Sequence, residues 1–151
     1  MKLVFAFFMA VAIGTLAENW PQLRGPDGSG ISMEKGLPVK WTAEDYAWQI
    51  KLPGIGHSSP IVWVDNVIVT SASQKGAQRF IECYSAATGK PVWSNTLGGE
   101  THPKHALNSY ASATPVTDGK RVFVSWGDND EFFMMAHDLK NGKELWRTQL
   151  G

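Results

Sequence analysis

A Gly-Lys pair followed by two residues and a tryptophan occurs twice, and this motif constrains the fold more than any other feature. It lies in residues 88–93 and 141–146, and a Leu-Gly pair begins four residues after each tryptophan. A partial third copy begins at Trp48, so the tryptophans are spaced by 45 and 53 residues (93 − 48 and 146 − 93). A period of about 40 to 50 residues is typical of propeller blades.

Short runs of β-branched and aromatic residues precede each motif, and turn-forming Gly, Asn, Asp or Pro bounds them. After residue 17 no segment shows sustained helical periodicity. We therefore predict an all-β chain, a partial β-propeller of four-stranded antiparallel blades with two blades and part of a third. The part of a third is residues 48–54, a closing strand. The matching runs in the two full blades are residues 59–62 and 114–117, 67–70 and 121–124, and 79–84 and 132–137.

The residues of the motif suit blade packing. A four-stranded sheet has two faces, and stacking blades buries both. The tryptophan offers a large apolar plate that can cover the gap to the next blade. The glycine four residues earlier permits a tight turn with positive φ. Asp118-Gly119 and Asn141-Gly142 are the strongest hairpin signals of the chain.

The chain divides into three predicted parts. Residues 1–17 read as a signal peptide, since Lys2 precedes the apolar run 3–13 and Ala17 ends a cleavage pattern. A buried N-terminal helix or strand is the alternative. Residues 18–40 are rich in Pro and Gly and predict an irregular arm, packed on the domain by Trp20 and Leu23. Residues 41–151 hold the blades.

Charge and cysteine content limit the expected binding partners and the cellular location of the protein. Fourteen basic residues balance fourteen acidic ones, so nothing predicts binding to nucleic acid or an anionic membrane. Cys83 is the only cysteine, which excludes an internal disulfide and leaves no lipid-anchor cysteine after the signal. We expect Cys83 to be a buried, inert thiol. The protein is expected to be periplasmic or secreted, without a stable membrane anchor.

Residues 85–93 and 138–146 resemble the tryptophan-docking repeat of quinoprotein-like (PQQ-type) β-propellers. Residues 20–26 resemble the start of many exported PQQ-like repeat proteins, so the resemblance covers residues 20–151. WD40 repeats fit poorly, because no Asp follows the tryptophans. Such propellers imply closed rings of about seven or eight blades. We therefore expect an N-terminal portion of a longer chain, or a ring completed by assembly with other copies.

The resemblance also implies an alternative function as part of a PQQ-dependent (quinoprotein) dehydrogenase. Those enzymes imply a quinone on the propeller axis, calcium, a catalytic aspartate and often an adjacent Cys-Cys pair. This chain has no Cys-Cys pair, and no Asp, Glu and Asn cluster maps onto that site. We predict no catalytic, cofactor-binding or metal residue, and we expect PQQ and calcium only under the alternative.

The four histidines of the chain are candidates for metal-binding or catalytic roles. His102 and His105 could join a metal site but lack a third ligand nearby, so solvated loop histidines are favoured. His57 precedes Ser58 and Ser59 without an acidic partner, which favours strand entry over a Ser-His-Asp arrangement. His137 is expected to face a neighbouring blade.

Two further segments are candidates for calcium binding or partner recognition. Residues 128–131 form the only acidic run, which resembles half a calcium loop but favours a hairpin turn. Residues 99–108, with Tyr110, form the most irregular loop, and recognition usually lies on loops of a rigid scaffold. The sequence therefore favours an exported, non-catalytic scaffold that binds protein partners through propeller loops.

Overall fold

The computed structural model describes residues 18–150, which form two four-stranded antiparallel sheets in succession. These sheets are consecutive blades of a partial β-propeller, so the predicted fold class is confirmed. The predicted signal peptide, residues 1–17, lies outside the described residues. The first blade comprises β1 (Ile61–Trp63), β2 (Asn66–Ala72), β3 (Gln78–Ser85) and β4 (Pro91–Gly98). The second comprises β5 (Val116–Thr117), β6 (Arg121–Asp128), β7 (Glu131–Asp138) and β8 (Glu144–Gln149), and a 3₁₀ turn at Ala43–Asp45 precedes both blades.

The predicted closing strand of an earlier blade is wrong in its secondary structure. Residues 48–54 belong to no strand, and the residue that follows them, Ile55, makes an isolated bridge to Ala72 at the end of β2. A strand needs a hydrogen-bonded neighbour, and no preceding part of this chain that the structure describes pairs with residues 48–54.

The arm lies across the first strands of both blades. Trp20 bridges Val62 of β1, and the Thr117 amide of β5 donates to the Pro21 carbonyl at 3.0 Å. The prediction that Leu23 packs on the domain is wrong, because its side chain is 57% exposed. The Gly25 amide bonds to the Gln22 carbonyl at 3.0 Å, which closes a turn with Leu23 at its outer corner.

One apolar core spans the two blades. It combines residues of β1 to β4 with residues of β6, β7 and the turn after β7: Ile61, Ile68, Ile81, Cys83, Trp93, Val122, Val124, Trp126, Met135 and Leu139. The prediction of a buried Cys83 is confirmed, and burial, followed by the nearby Asp65 charge, raises the pKa of the thiol to about 12. The outermost strand, β8, is exposed along its whole length.

A tryptophan of the first blade lies on a glycine turn of the second. Trp93 Nε1 donates to the Leu139 carbonyl at 2.9 Å. Gly142 has φ of 74°, and a Cβ atom built there would lie 2.6 Å from the Trp93 ring. The glycine therefore meets two demands, a left-handed turn and close approach of the indole.

Trp48 makes the same contact one blade earlier. Its Nε1 donates to the Ala86 carbonyl at 2.7 Å, and a Cβ at Gly89 would lie 2.7 Å from its ring. Gly89 has φ of 68°. The partial repeat at Trp48 thus keeps the contact with the next blade, although residues 48–54 themselves form no strand.

A polar pair crosses the boundary between the first and second blades. His137 of β7 is 1% exposed, and its Nδ1 lies 3.1 Å from the Gly142 carbonyl and 3.3 Å from Asn95 Nδ2 of the first blade. The prediction that His137 faces a neighbouring blade is confirmed. Burial lowers the pKa of His137, against the opposing effects of the Gly142 hydrogen bond and the Glu144 charge.

Removing the indole N–H or filling the glycine turn should destabilise the protein. We expect Trp93→Phe to cost about 1–2 kcal/mol, because the buried Leu139 carbonyl loses its donor. Gly142→Ala should cost about 2–4 kcal/mol through left-handed strain and overlap with the indole. Urea unfolding measures both. Gly98→Ala is the matched control, since a Cβ there meets nothing within 4 Å, and an equal loss in that variant would contradict the account.

The buried histidine should make stability depend on pH. The folded pKa of His137 is depressed, so the unfolded chain binds the extra proton first as pH falls below about 6.5. Stability is then lost progressively until pH reaches the folded pKa. We expect the unfolding free energy to fall by up to about 1 kcal/mol more between pH 7 and 5.5 in the native chain than in His137→Gln. Parallel pH profiles for the two proteins would refute this effect.

Candidate interaction face

Three loops meet at one end of the two blades, and we call this end the loop face. They are the β2–β3 hairpin (residues 73–77), the β6–β7 turn (residues 129–130) and the long connection between blades (residues 99–115). The Gly99 amide donates to the Ala77 carbonyl at 3.1 Å, and the Glu100 amide donates to Asp128 Oδ1 at 2.8 Å. The long connection is therefore attached to both blades at its start.

A buried arginine is the centre of this face. Arg79 of β3 is 2% exposed and donates through Nη1 to the Gly76 carbonyl. Its Nη2 lies 3.6 Å from Asp128 Oδ1 on the second blade. Burial lowers the pKa of Arg79, while the Asp128 charge opposes that shift. Truncating Asp128 would leave the buried guanidinium without its carboxylate, so the pair favours keeping the two blades together here.

Tyr110 holds the long connection over this arginine. Its ring lies 5.0 Å from the Arg79 guanidinium carbon, and its hydroxyl donates to the His102 carbonyl at 2.5 Å. His102 meets the ring edge-on at 5.0 Å between centroids, and the Lys104 ammonium lies 5.7 Å from the ring centroid. A Cβ at Gly76 would lie 2.7 Å from the ring, so the hairpin below it is closely packed.

The two loop histidines differ from each other. The expectation of a solvated histidine fits His105, which is exposed, and fails for His102, whose side chain is 18% exposed. His102 is partly buried because its ring packs on Tyr110, and its Nδ1 lies 3.7 Å from Asp128 Oδ1. Within residues 18–150, no group of three or more His, Cys, Asp or Glu side chains forms a metal-binding arrangement.

The remaining candidates, which are residues 57–59 and 128–131, lie in a strand entry and a hairpin turn. His57 is exposed, and its amide lies within hydrogen-bond distance of the Ala111 carbonyl and Ser109 Oγ, at 3.0 and 3.1 Å. Ser58 and Ser59 lie just before β1, separated from it by Pro60, as expected for strand entry. Residues 128–131 form the predicted hairpin turn, with Asn129 at φ of 55° and its Nδ2 donating to Glu100 Oε2 at 3.1 Å.

The described residues do not fit the quinone and calcium site of the alternative function. The single thiol, Cys83, is buried in β3, where its Sγ lies 3.3 Å from Asn66 Oδ1. Asp128 accepts the Glu100 amide and faces Arg79 across the blade boundary, and no metal-binding group assembles from residues 18–150. We therefore derive no chemical step through a quinone or calcium from these residues.

Sequence reasoning found the loop but missed the arginine beneath it. Residues 99–108 and Tyr110 were predicted to be the irregular surface, and they cover Arg79 and Asp128. Arg79 reads in the sequence as an ordinary first residue of a strand run. Its role depends on Asp128, which is 49 residues away (128 − 79) in the other blade, and no local pattern signals that pairing.

The structure contains no helix in residues 18–150 long and apolar enough to cross a membrane.

Comparisons with known proteins identify a repeat family and solved structures to which this chain is similar. A family model described as outer membrane protein assembly factor BamB matches residues 41–151. No match was found among curated proteins. Among solved structures, quinohemoprotein alcohol dehydrogenase ADHIIG of Pseudomonas putida HK5 is 26% identical, with a TM-score of 0.43 over 60% of this chain. BamB of Moraxella catarrhalis is 15% identical, with a TM-score of 0.31 over 74% of this chain. The chain spans 12% and 43% of those two proteins.

Removing the Tyr110 ring should loosen the long connection and leave the blades folded. In Tyr110→Ala we expect amide exchange in residues 99–109 to accelerate at least ten-fold, because the contacts with His102, Lys104 and Arg79 are lost. Exchange in β2 and β6 should change by less than two-fold. Tyr110→Phe, which loses only the hydroxyl, should give a smaller effect. Hydrogen-exchange mass spectrometry measures both, and unchanged exchange in the connection would contradict the anchoring role.

Proposed function

This chain belongs to the PQQ-type repeat family whose model is described as outer membrane protein assembly factor BamB, and from that premise we propose that it is a non-catalytic scaffold. In this proposal the loop face binds protein partners and the blades hold it rigid. The observation that carries the proposal is the long connection, which is attached to both blades yet exposes most of its side chains.

The anchoring supports recognition by lowering its entropic cost. A binding loop that is already ordered loses less conformational freedom when a partner binds. Tyr110 and Arg79 fix the base of the connection, while Leu107 at its tip is 78% exposed. An exposed apolar residue on an ordered loop offers a partner an apolar contact at small entropic cost.

Export belongs to the same proposal. The apolar run at residues 3–13 and the small residues up to Ala17 support a cleaved signal peptide. The protein would then act in the periplasm or outside the cell. Cleavage after Ala17 would leave Trp20 close to the new terminus, where its bridge to Val62 holds the arm on β1.

The tryptophan contacts support a docking role between blades. Trp93 and Trp48 each place an indole on a glycine turn of the following blade. Trp146 occupies the corresponding position in the second blade and is 39% exposed. We propose that a further blade, from a longer chain or from another copy, covers Trp146 in the same way.

A charge at the tip of the connection should weaken partner capture. We expect Leu107→Asp in the full-length protein to reduce recovery of cross-linked envelope proteins at least five-fold. Val39→Asp is the matched control, because Val39 is 94% exposed and belongs to the arm, not to the three loops that define the loop face. The measurement is quantitative mass spectrometry after cross-linking and affinity capture.

The control decides how the result is read. Recovery that falls equally in both variants would indicate a general effect of added charge. Unchanged recovery in Leu107→Asp would remove the loop face from the proposed function.

A further inference from the structure

A cavity of about 400 Å³ opens on the loop face, between the long connection and the end of β6. Ser125 and Trp126 form one wall, and Phe132 of β7, which is 44% exposed, lies in the same lining. No Asp or Glu contributes to this lining. The side chains that can donate hydrogen bonds there include Lys104, three serines at positions 109, 112 and 125, and Trp126.

The one permanent cation of the lining is held in place. Lys104 Nζ donates to the Asn108 carbonyl at 2.8 Å and lies 5.7 Å from the Tyr110 ring centroid. An ammonium has three N–H donors, so the bond to Asn108 leaves two for a ligand. Because these contacts already position the ammonium, a ligand would order little additional side chain on binding.

A buried donor without an acceptor lies in the same wall. Trp126 is 6% exposed, and its Nε1 has no hydrogen-bond partner. A buried unpaired N–H costs about 1–3 kcal/mol and calls for an explanation. The nitrogen is closed to solvent in this structure, so a ligand acceptor would reach it only after a small movement of this wall.

Four carboxylates, those of Glu100, Asp128, Asp130 and Glu131, line a neighbouring depression rather than this cavity, and Asp128 is the one in contact with a residue of the cavity lining. Asp128 Oδ1 lies 3.7 Å from His102 Nδ1, but it accepts the Glu100 amide at 2.8 Å and pairs with Arg79 at 3.6 Å. The cavity therefore combines an ammonium, neutral donors and aromatic walls, without a carboxylate in its lining. A carboxylate accepts hydrogen bonds from such donors and balances the charge of the ammonium.

We propose that this cavity binds an acidic side chain of a partner polypeptide, with the carboxylate on Lys104 and an adjacent apolar residue against Phe132. The inference rests on the proposed function, because it gives the chemistry of the partner that the loop face would take. A volume of about 400 Å³ falls within the usual range for ligand pockets and accommodates a residue or two.

Two neutral-capped peptides test the charge preference on the full-length protein. The probes are N-acetyl-Phe-Glu-Phe-amide and N-acetyl-Phe-Gln-Phe-amide, followed through the indole N–H and amide signals of labelled protein by NMR. We expect the Glu peptide to bind at least five-fold more tightly than the Gln peptide. Equal affinities would overturn the proposal, and so would phenylacetate binding as tightly as the Glu peptide, since that result assigns the cavity to a small free acid.

Variants assign the effect to the cavity. Lys104→Gln should lower affinity for the Glu peptide at least five-fold and change that for the Gln peptide by less than two-fold. Lys75→Gln is the matched control, because Lys75 is exposed on the neighbouring hairpin but outside the cavity lining. Equal losses in both variants would indicate a general charge effect and overturn the site.

Trp126→Phe separates binding from structure. Removing an unpaired buried N–H should leave the free protein as stable or more stable. The same variant should bind the Glu peptide at least three-fold more weakly but still prefer it over the Gln peptide, because Lys104 is retained. Unchanged affinity for the Glu peptide in Trp126→Phe would remove Trp126 from the site. If the preference for the Glu peptide were also unchanged in Lys104→Gln, the proposal would be overturned.

The outcomes also separate this inference from the proposed function. Partner capture that depends on Leu107, together with equal affinities for the two peptides, would leave the scaffold function and overturn the carboxylate site. Preference for the Glu peptide in a protein whose partner capture does not depend on Leu107 would leave the carboxylate site and remove the loop face from the proposed function.

Discussion

The structure depends on one repeated contact, an indole that lies on a glycine turn of the following blade. Trp93 lies on Gly142 and bonds to the Leu139 carbonyl, and Trp48 repeats this on Gly89 and the Ala86 carbonyl. The contact joins apolar burial, a hydrogen bond and a backbone conformation that glycine adopts without strain. Blades that could not bury their faces alone are held together by it, and the loops at their ends acquire fixed positions.

The two ends of the blades are held in different ways. At the end opposite the loop face, the turns are closed by nearby aspartates. Asp118 accepts the amides of Arg121 and Lys120, which lowers its pKa to about 2, and Asp138 accepts the Lys140 amide at 3.0 Å. On the loop face, the Arg79–Asp128 pair and Tyr110 act between blades. Local turns fix the repeat, whereas long-range contacts fix the surface proposed for binding.

How much the sequence could predict follows from this difference. The blade type, the four-stranded antiparallel sheets and the placement of His137 against a neighbouring blade depend on short-range patterns and on the period of the motif, and they were predicted. The exposure of Leu23 was not, because it depends on a turn that rotates that residue outward. Arg79 was missed because its partner lies in another blade. The absence of a strand at residues 48–54 depends on a neighbour that no described segment supplies.

Hydrogen exchange of the indole N–H protons tests the central contact most directly. Trp48 and Trp93 donate to carbonyls of the following blade, whereas Trp41 is 60% exposed and serves as an internal reference. The account predicts that the Trp48 and Trp93 indole protons, followed by NMR, exchange at least a hundred-fold more slowly than the Trp41 proton. Exchange of the Trp93 indole proton at the rate of Trp41 would show that the contact opens freely and would contradict the account.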